Sequence, residues 1–152
     1  MAKVRSSVRI NTMRIKQLNQ AAIKALELTG NLLSEDIKRA KVIPRDRGTL
    51  EDATAPIYVQ SNQGKVSIVS STPYARRLYY NPETVSVREY TIKKGKRAGQ
   101  KVKSYIAHKR TFSKKENSNA KDHWFEDWQE GGKNADFVPK TFKKIYKRLI
   151  NS

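Results

Sequence analysis

Residues 12–41 constrain the fold more than any other stretch. Ile15, Leu18, Ala22, Leu26, Thr29, Leu33, Ile37 and Ala40 recur at intervals of three and four. That spacing brings side chains onto one face of an α-helix, so the pattern predicts a single long helix over 12–41. At 1.5 Å per residue it would span roughly 45 Å. A small domain does not need that length, and the helix is expected to reach a neighbour. Asn11 or Thr12 can accept a bond from the first-turn amides. Gly30 is an interior weak point of about 1 kcal/mol relative to alanine, where a kink or break is expected. Pro44 closes the segment, because the residue before a proline is pushed out of the α region.

The charge is the second constraint. The 152 residues carry 32 Lys+Arg against 14 Asp+Glu, a formal net charge of +18. Residues 88–115 hold eleven of the basic side chains and one acid, Glu89, for a local +10. Residues 122–136 are locally acidic, with Asp122, Glu126, Asp127, Glu130 and Asp136. The positive charge therefore belongs mainly to one segment. That segment has strand character on both sides: 85–92 and 101–108 are β-branched and aromatic and partly alternate. The glycines of Lys93-Lys94-Gly95-Lys96-Arg97-Ala98-Gly99-Gln100 supply turn conformations between them. The reading is a long hairpin arm over 85–110 with a basic tip, whose lysines also discourage stray edge pairing.

Elsewhere the chain reads as a turn at 45–50 and a hairpin with a short helix over 55–80. In that hairpin, strands at 57–60 and 65–70 flank Ser61-Asn62-Gln63-Gly64. Two helices are expected over 119–150. The first, over 120–130, is capped by Asn117-Ser118-Asn119, anchored by Trp124, Phe125 and Trp128 and stopped by Gly131-Gly132. The second runs from about Pro139 to Ile150, with Phe142, Ile145, Tyr146 and Leu149 opposite lysines. The expected fold is α+β, a single domain over 1–152. It has a long N-terminal helix, a small, mostly antiparallel sheet, an extended basic β-hairpin and two C-terminal helices.

Several function classes fall away. No apolar run approaches 18 residues, so no transmembrane helix is expected, and Met1-Ala2-Lys3-Val4-Arg5 does not lead into a secretory signal. The absence of cysteine removes disulfide scaffolds, zinc ribbons and thiol catalysis. His108 and His123 are the only histidines and lack partners at a catalytic spacing. His123 with Glu126 is a single pair where a metal site needs three or four ligands. No Walker loop, nucleophile elbow or dinucleotide fingerprint is present. We therefore expect no enzyme, no metal and no cofactor. The C-terminal helix is amphipathic and basic, but a helix this short is expected to dock on its own domain rather than on a membrane.

Nucleic-acid contact stays open on the residues alone. A basic ribbon carrying Tyr90 and Tyr105 could enter a groove or stack on bases, and its charge could supply non-specific affinity. Alternatively the two tyrosines pack across the strands while the lysines meet solvent or an acidic protein surface.

Pro44-Arg45-Asp46-Arg47-Gly48-Thr49-Leu50, a hairpin, and Ser71-Thr72-Pro73-Tyr74-Ala75-Arg76-Arg77-Leu78-Tyr79-Tyr80 come in that order, followed by Ala120-Lys121-Asp122-His123-Trp124-Phe125. This series resembles the minor capsid or head–tail connector (neck) proteins of long-tailed bacteriophages. Arg47 stands where that family usually has threonine, and the basic ribbon is larger than its norm. The motif residues Gly48, Thr49, Leu50, Tyr74, Ala75, Trp124 and Phe125 are read mainly as structural. Gly48 permits a positive-φ turn, Leu50 tucks inward, and Ala75 sits at a tight contact beside Tyr74.

The resemblance implies a virion protein at the head–tail interface, assembled in the host cytoplasm. Its implied partners are copies of itself in a ring, portal, adaptor or head-closure proteins, and tail proteins. Non-specific contact with packaged DNA in the channel is also implied as possible. Ring interfaces are heterologous, one patch meeting a different patch on the next copy. Arg88, Lys93, Lys94, Lys96, Arg97, Lys101 and Lys103 are the expected contacts, to an acidic protein surface or to DNA. The competing expectation is a basic nucleic-acid-binding module of ribosomal or nucleoid-associated type.

Overall fold

The computed structural model describes residues 9–45 and 48–151. Arg47, in the turn expected at 45–50, and the N-terminal residues 1–8 lie outside the described residues. The fold is α+β, with four α-helices and three two-stranded sheets among the described residues. The long helix α1 spans Thr12–Arg39. Asn11 caps it, its Oδ1 accepting the Arg14 amide at 3.0 Å while its carbonyl takes the Ile15 amide at 3.1 Å. Lys38 and Arg39 sit in the last turn, where the helix dipole favours cations. The helix stops before Pro44, with Lys41 in the left-handed region at φ 55°.

Gly30 does not break α1. A Cβ there would lie 2.7 Å from Cγ1 of Val66 and 3.7 Å from Cβ of Pro56. The missing side chain is what lets the following hairpin approach the helix, and this contact outweighs the propensity penalty. That hairpin pairs β1 (Thr54–Ile57) with β2 (Ser67–Ser70). Its first strand lies earlier than the pattern predicts. The Tyr58 carbonyl accepts the Ser61 amide at 2.8 Å, so residues 58–60 enter the turn, and Gly64 closes it at φ 77°.

The remaining elements are α2 (Thr49–Asp52), α3 (Ala75–Tyr80), strands β3 (Thr84–Val87), β4 (Tyr90–Thr91), β5 (Lys101–Val102) and β6 (Tyr105–His108), and α4 (Phe137–Asn151). The chain groups into two compact units. One holds the described residues up to 36, with 54–69 and those from 126 onward; the other holds 37–53 and 70–125. In the first unit Ala25, Thr29 and Trp128 are buried. The Thr29 hydroxyl donates to the Ala25 carbonyl at 2.7 Å, and the Trp128 indole N–H donates to Asp36 Oδ2 at 2.8 Å. In the second unit the buried apolar set is Ile37, Val42, Ile43, Leu50, Ala75, Ala120 and Trp124.

The helix expected over 120–130 is absent. Only Glu126–Trp128 form a short 3-10 turn. The amides that a helix would direct to the fourth preceding carbonyl go elsewhere: Lys121 donates to Val42 O at 3.0 Å and His123 to Tyr79 O at 2.9 Å. His123 itself sits at φ 46°. The asparagines expected to cap this helix instead tie down the exit of α1. Asn117 Nδ2 donates to Ile43 O at 2.8 Å and Asn119 Nδ2 to Ala40 O at 3.0 Å. The Asn119 amide thus satisfies a carbonyl at the helix end, and the Asn117 amide one in the segment that leads to Pro44. Trp124, Phe125 and Trp128 consequently do not share one helical face, and Trp128 belongs to the other unit. The α4 helix forms as predicted. Its Phe142 and Tyr146 rings stack at 5.8 Å and its lysines are exposed.

Candidate docking surface

The basic hairpin is one continuous ribbon. β3 pairs antiparallel with β6, Thr84 opposite His108 and Val87 opposite Tyr105. β4 pairs with β5, Tyr90 opposite Val102 and Thr91 opposite Lys101. The two ladders share one register across the unpaired gap at Arg88-Glu89 and Lys103-Ser104, so no residue is inserted on either strand. Ile92 extends the pairing, donating to Gln100 O at 3.0 Å and accepting from the Gly99 amide at 2.7 Å. The tip therefore comprises residues 93–99. Gly95 (φ 91°) and Gly99 (φ 87°) take the left-handed conformations that side chains resist.

Arg88, Lys93, Lys94, Lys96, Arg97, Lys101 and Lys103 are all exposed. The Arg97 Nε–H donates to Gln100 Oε1 at 2.9 Å across the tip. Along β3, Val85 and Val87 are half-buried while Thr84 and Ser86 face solvent, so one face of the basal part of the ribbon is the more sheltered. Tyr90 and Tyr105 belong to different register pairs and do not pack on each other across the strands. They stand 45% and 46% exposed, with Ile106 at 64%, as apolar contacts interleaved with the cations.

The ribbon base is clamped by a residue that the sequence reading passed over. Asn81 is buried and ends α3 in the left-handed conformation, φ 37° and ψ 54°. Its Nδ2 donates to the Arg110 carbonyl at 3.0 Å, and its Oδ1 accepts the Arg110 amide at 2.9 Å. One side chain thereby mimics a strand partner. Lys109 adds an amide bond to Glu83 O at 2.9 Å and an exposed ion pair to the Glu83 carboxylate at 3.1 Å. The available signal was an Asn-Pro step after a short helix, since asparagine is the non-glycine residue most at home in the left-handed helix terminus.

The motif residues fall around the same unit. Gly48 stands at φ 82° before α2, as the turn requires; a Cβ there would meet Asp52 Oδ2 at 3.3 Å. Leu50, Ala75 and Trp124 are buried, Phe125 is half-buried, and Thr49 and Tyr74 are exposed. Tyr79 links Trp124, edge to face at 4.9 Å, with Phe125 at 5.7 Å and His123 at 5.1 Å. Thr49, Leu50 and Tyr74 also line a cleft of about 570 Å³. Among the described residues no three His, Asp or Glu side chains are grouped to hold a metal ion, and no helix is long and apolar enough to cross a membrane. No family model, curated protein or solved structure matches the chain.

Proposed function

We propose that this chain is a structural virion protein of a tailed phage. In this reading it forms a ring in the neck that joins the DNA-filled head to the tail, and its basic ribbon is a docking arm onto an acidic surface of a neighbouring protein. The observation that carries the reading is the ribbon itself: a single-register hairpin, clamped at its base, with every cation of its tip exposed. Such an arm is pre-organised, so docking it costs little ordering entropy. Exposed Tyr90, Tyr105 and Ile106 supply apolar contact between the charges. A strongly positive channel lining would retard DNA in transit, which favours protein over DNA as the partner. The neck assignment rests on the resemblance of residues 44–50, 71–80 and 120–125.

The test is to reverse Lys93, Lys94, Lys96 and Arg97 to glutamate. Heads and tails that accumulate unjoined in electron micrographs are the expected result. Particles that join normally but eject DNA differently would overturn the docking role. The density of cations on the ribbon favours one second reading, a nucleic-acid-binding module. It would reveal itself in tight binding of the monomer to random duplex DNA. A log–log salt slope of about −4 or steeper, roughly 0.9 per phosphate neutralised, would support it.

A further inference from the structure

The cleft beside the ribbon base has a chemistry that the arm does not explain. Buried Leu50 and half-buried Leu78 and Phe112 line it, together with Arg45, Arg77 and Arg110. Arg45 is already engaged, its Nη1 3.2 Å from Glu51 Oε2. Arg77 and Arg110 meet no carboxylate among the described residues. Two arginines with no carboxylate partner among the described residues thus line an apolar hollow, in a chain already strongly positive. The backbone of Arg110 is fixed by the Asn81 clamp, and Arg77 lies on α3, so both are carried by ordered chain.

We infer that this cleft is a binding site for an acidic segment of a partner protein, one that presents carboxylates beside an aliphatic or aromatic anchor. Arginine forks match carboxylates bidentately, and apolar walls add affinity only for a ligand that brings apolar surface with its charge. A peptide does both. A duplex backbone offers phosphate without a side chain to fill the hollow, which places DNA second. The same reasoning assigns the motif residues Thr49, Leu50 and Tyr74, together with Arg77 and Leu78, to a shared surface rather than to separate structural duties. The inference deepens the assembly reading by naming a second contact, and it relies on that reading only in taking the partner to be a protein.

The probe is a fluorescein-labelled peptide, Gly-Glu-Leu-Asp-Phe-Glu-Leu-Gly, titrated with the full chain and read by anisotropy. Two control peptides replace its acids with the corresponding amides or its apolar residues with serine. The intact peptide should bind at least tenfold tighter than the amide control and at least fivefold tighter than the serine control. R77Q/R110Q should lower its affinity at least tenfold, and R110Q alone, which alters only an exposed side chain, about threefold or more. K143E/K144E/K147E on α4, a larger charge change at residues that do not line the cleft, should leave binding within twofold. Equal binding of the amide or serine control overturns the inference, as does a greater loss in the α4 variant than in R77Q/R110Q. Displacement of the peptide by a 20-base-pair duplex whose own binding vanishes in R77Q/R110Q would assign the arginines to phosphate and overturn it too. None of these variants touches the ribbon tip, so failure here and failure of the docking arm are read separately.

Discussion

Replacing Asn81 with alanine should destabilise the ribbon-bearing unit by about 3 kcal/mol, and the figure can be built from its contacts. The side chain makes two bonds to one residue, 3.0 Å to the Arg110 carbonyl and 2.9 Å from the Arg110 amide, from a buried position. Each such bond contributes about 1 kcal/mol net, and an orphaned partner raises the cost toward 2. The backbone adds a second contribution. At φ 37° alanine incurs roughly 1 kcal/mol or more of strain, where asparagine is tolerated. Glycine at this position removes the side-chain bonds but not the backbone compatibility, so Asn81→Gly should lie about 1 kcal/mol closer to the parent than Asn81→Ala. Aspartate keeps the acceptor for the Arg110 amide and loses the donor. It also sets a carboxylate where Nδ2 now lies 3.4 Å from Asp122 Oδ2. Asn81→Asp should therefore be partly rescued by Asp122→Asn.

Guanidinium unfolding with far-UV detection gives the stability differences. Amide exchange by NMR localises them: in Asn81→Ala the Arg110 amide should lose protection while the Ile92 amide, bonded to Gln100 O at 3.0 Å, keeps most of its own. A loss below about 1 kcal/mol, or a glycine variant as unstable as the alanine variant, would refute the argument that this side chain clamps the ribbon through both bonds and backbone shape.

Other perturbations discriminate between competing effects. Gly30→Ala should destabilise by about 1–2 kcal/mol by overpacking against Val66, although helix propensity alone would stabilise by about 1 kcal/mol; a raised Tm would sink the close-approach account, and Val66→Ala should rescue the variant. Gly132→Ala should cost about 3 kcal/mol or more, because a Cβ would lie 2.6 Å from the Asp127 carbonyl carbon and oxygen, and main chain cannot yield as a side chain does; an unchanged unfolding midpoint would contradict it. Burial, and secondarily the charge of Glu27, raise the Tyr58 phenol above its ordinary pKa, against the hydrogen bond it donates to Asn31. A phenol that holds its proton more tightly when folded contributes stability fully below pH of about 10, lost as pH rises through the folded-state value. Tyr58→Phe should therefore flatten the alkaline fall in stability, and an unaltered profile would assign that fall to other groups.

Periodicity carried the parts of the fold that depend on it. The α1 stripe from Leu18 onward, the α4 face and the alternation of β3 were legible because each turns one side of a regular element away from solvent, and burial imposes its period on the sequence. The 120–130 segment was not legible for the opposite reason. Its aromatic spacing imitates a helix, but its amides bond to residues distant in sequence, Val42 and Tyr79, and no local pattern encodes those partners. Gly30 was misread as a weak point because propensity scales describe the helix alone, whereas the hairpin packed on it explains the glycine. The ribbon cations were plain in the sequence. Asn81, Arg77 and Arg110 were not singled out, because a clamp and a cleft are made by chain segments about thirty residues apart in sequence.

The positions of these residues bear on what the charge can do. A +10 segment on a slack loop would bind many anionic surfaces weakly, since each encounter would have to order the chain before gaining any contact. Here the register runs unbroken through the gap at 88–89 and 103–104, and Asn81 holds the point where the ribbon leaves its unit. The cations are thus presented at spacings fixed by the pleat, with Tyr90, Tyr105 and Ile106 between them. Electrostatic attraction at such a surface steers the encounter, while fixed spacing and interleaved apolar area select the partner. Loosening the base should therefore affect selectivity before attraction. Asn81→Gly, with all ribbon charges intact, should keep fast association with an acidic surface but dissociate several-fold faster, measurable by surface plasmon resonance against immobilised acidic peptide. A variant that instead lost association rate and kept its dissociation rate would show that charge alone, not the clamped geometry, does the recognising.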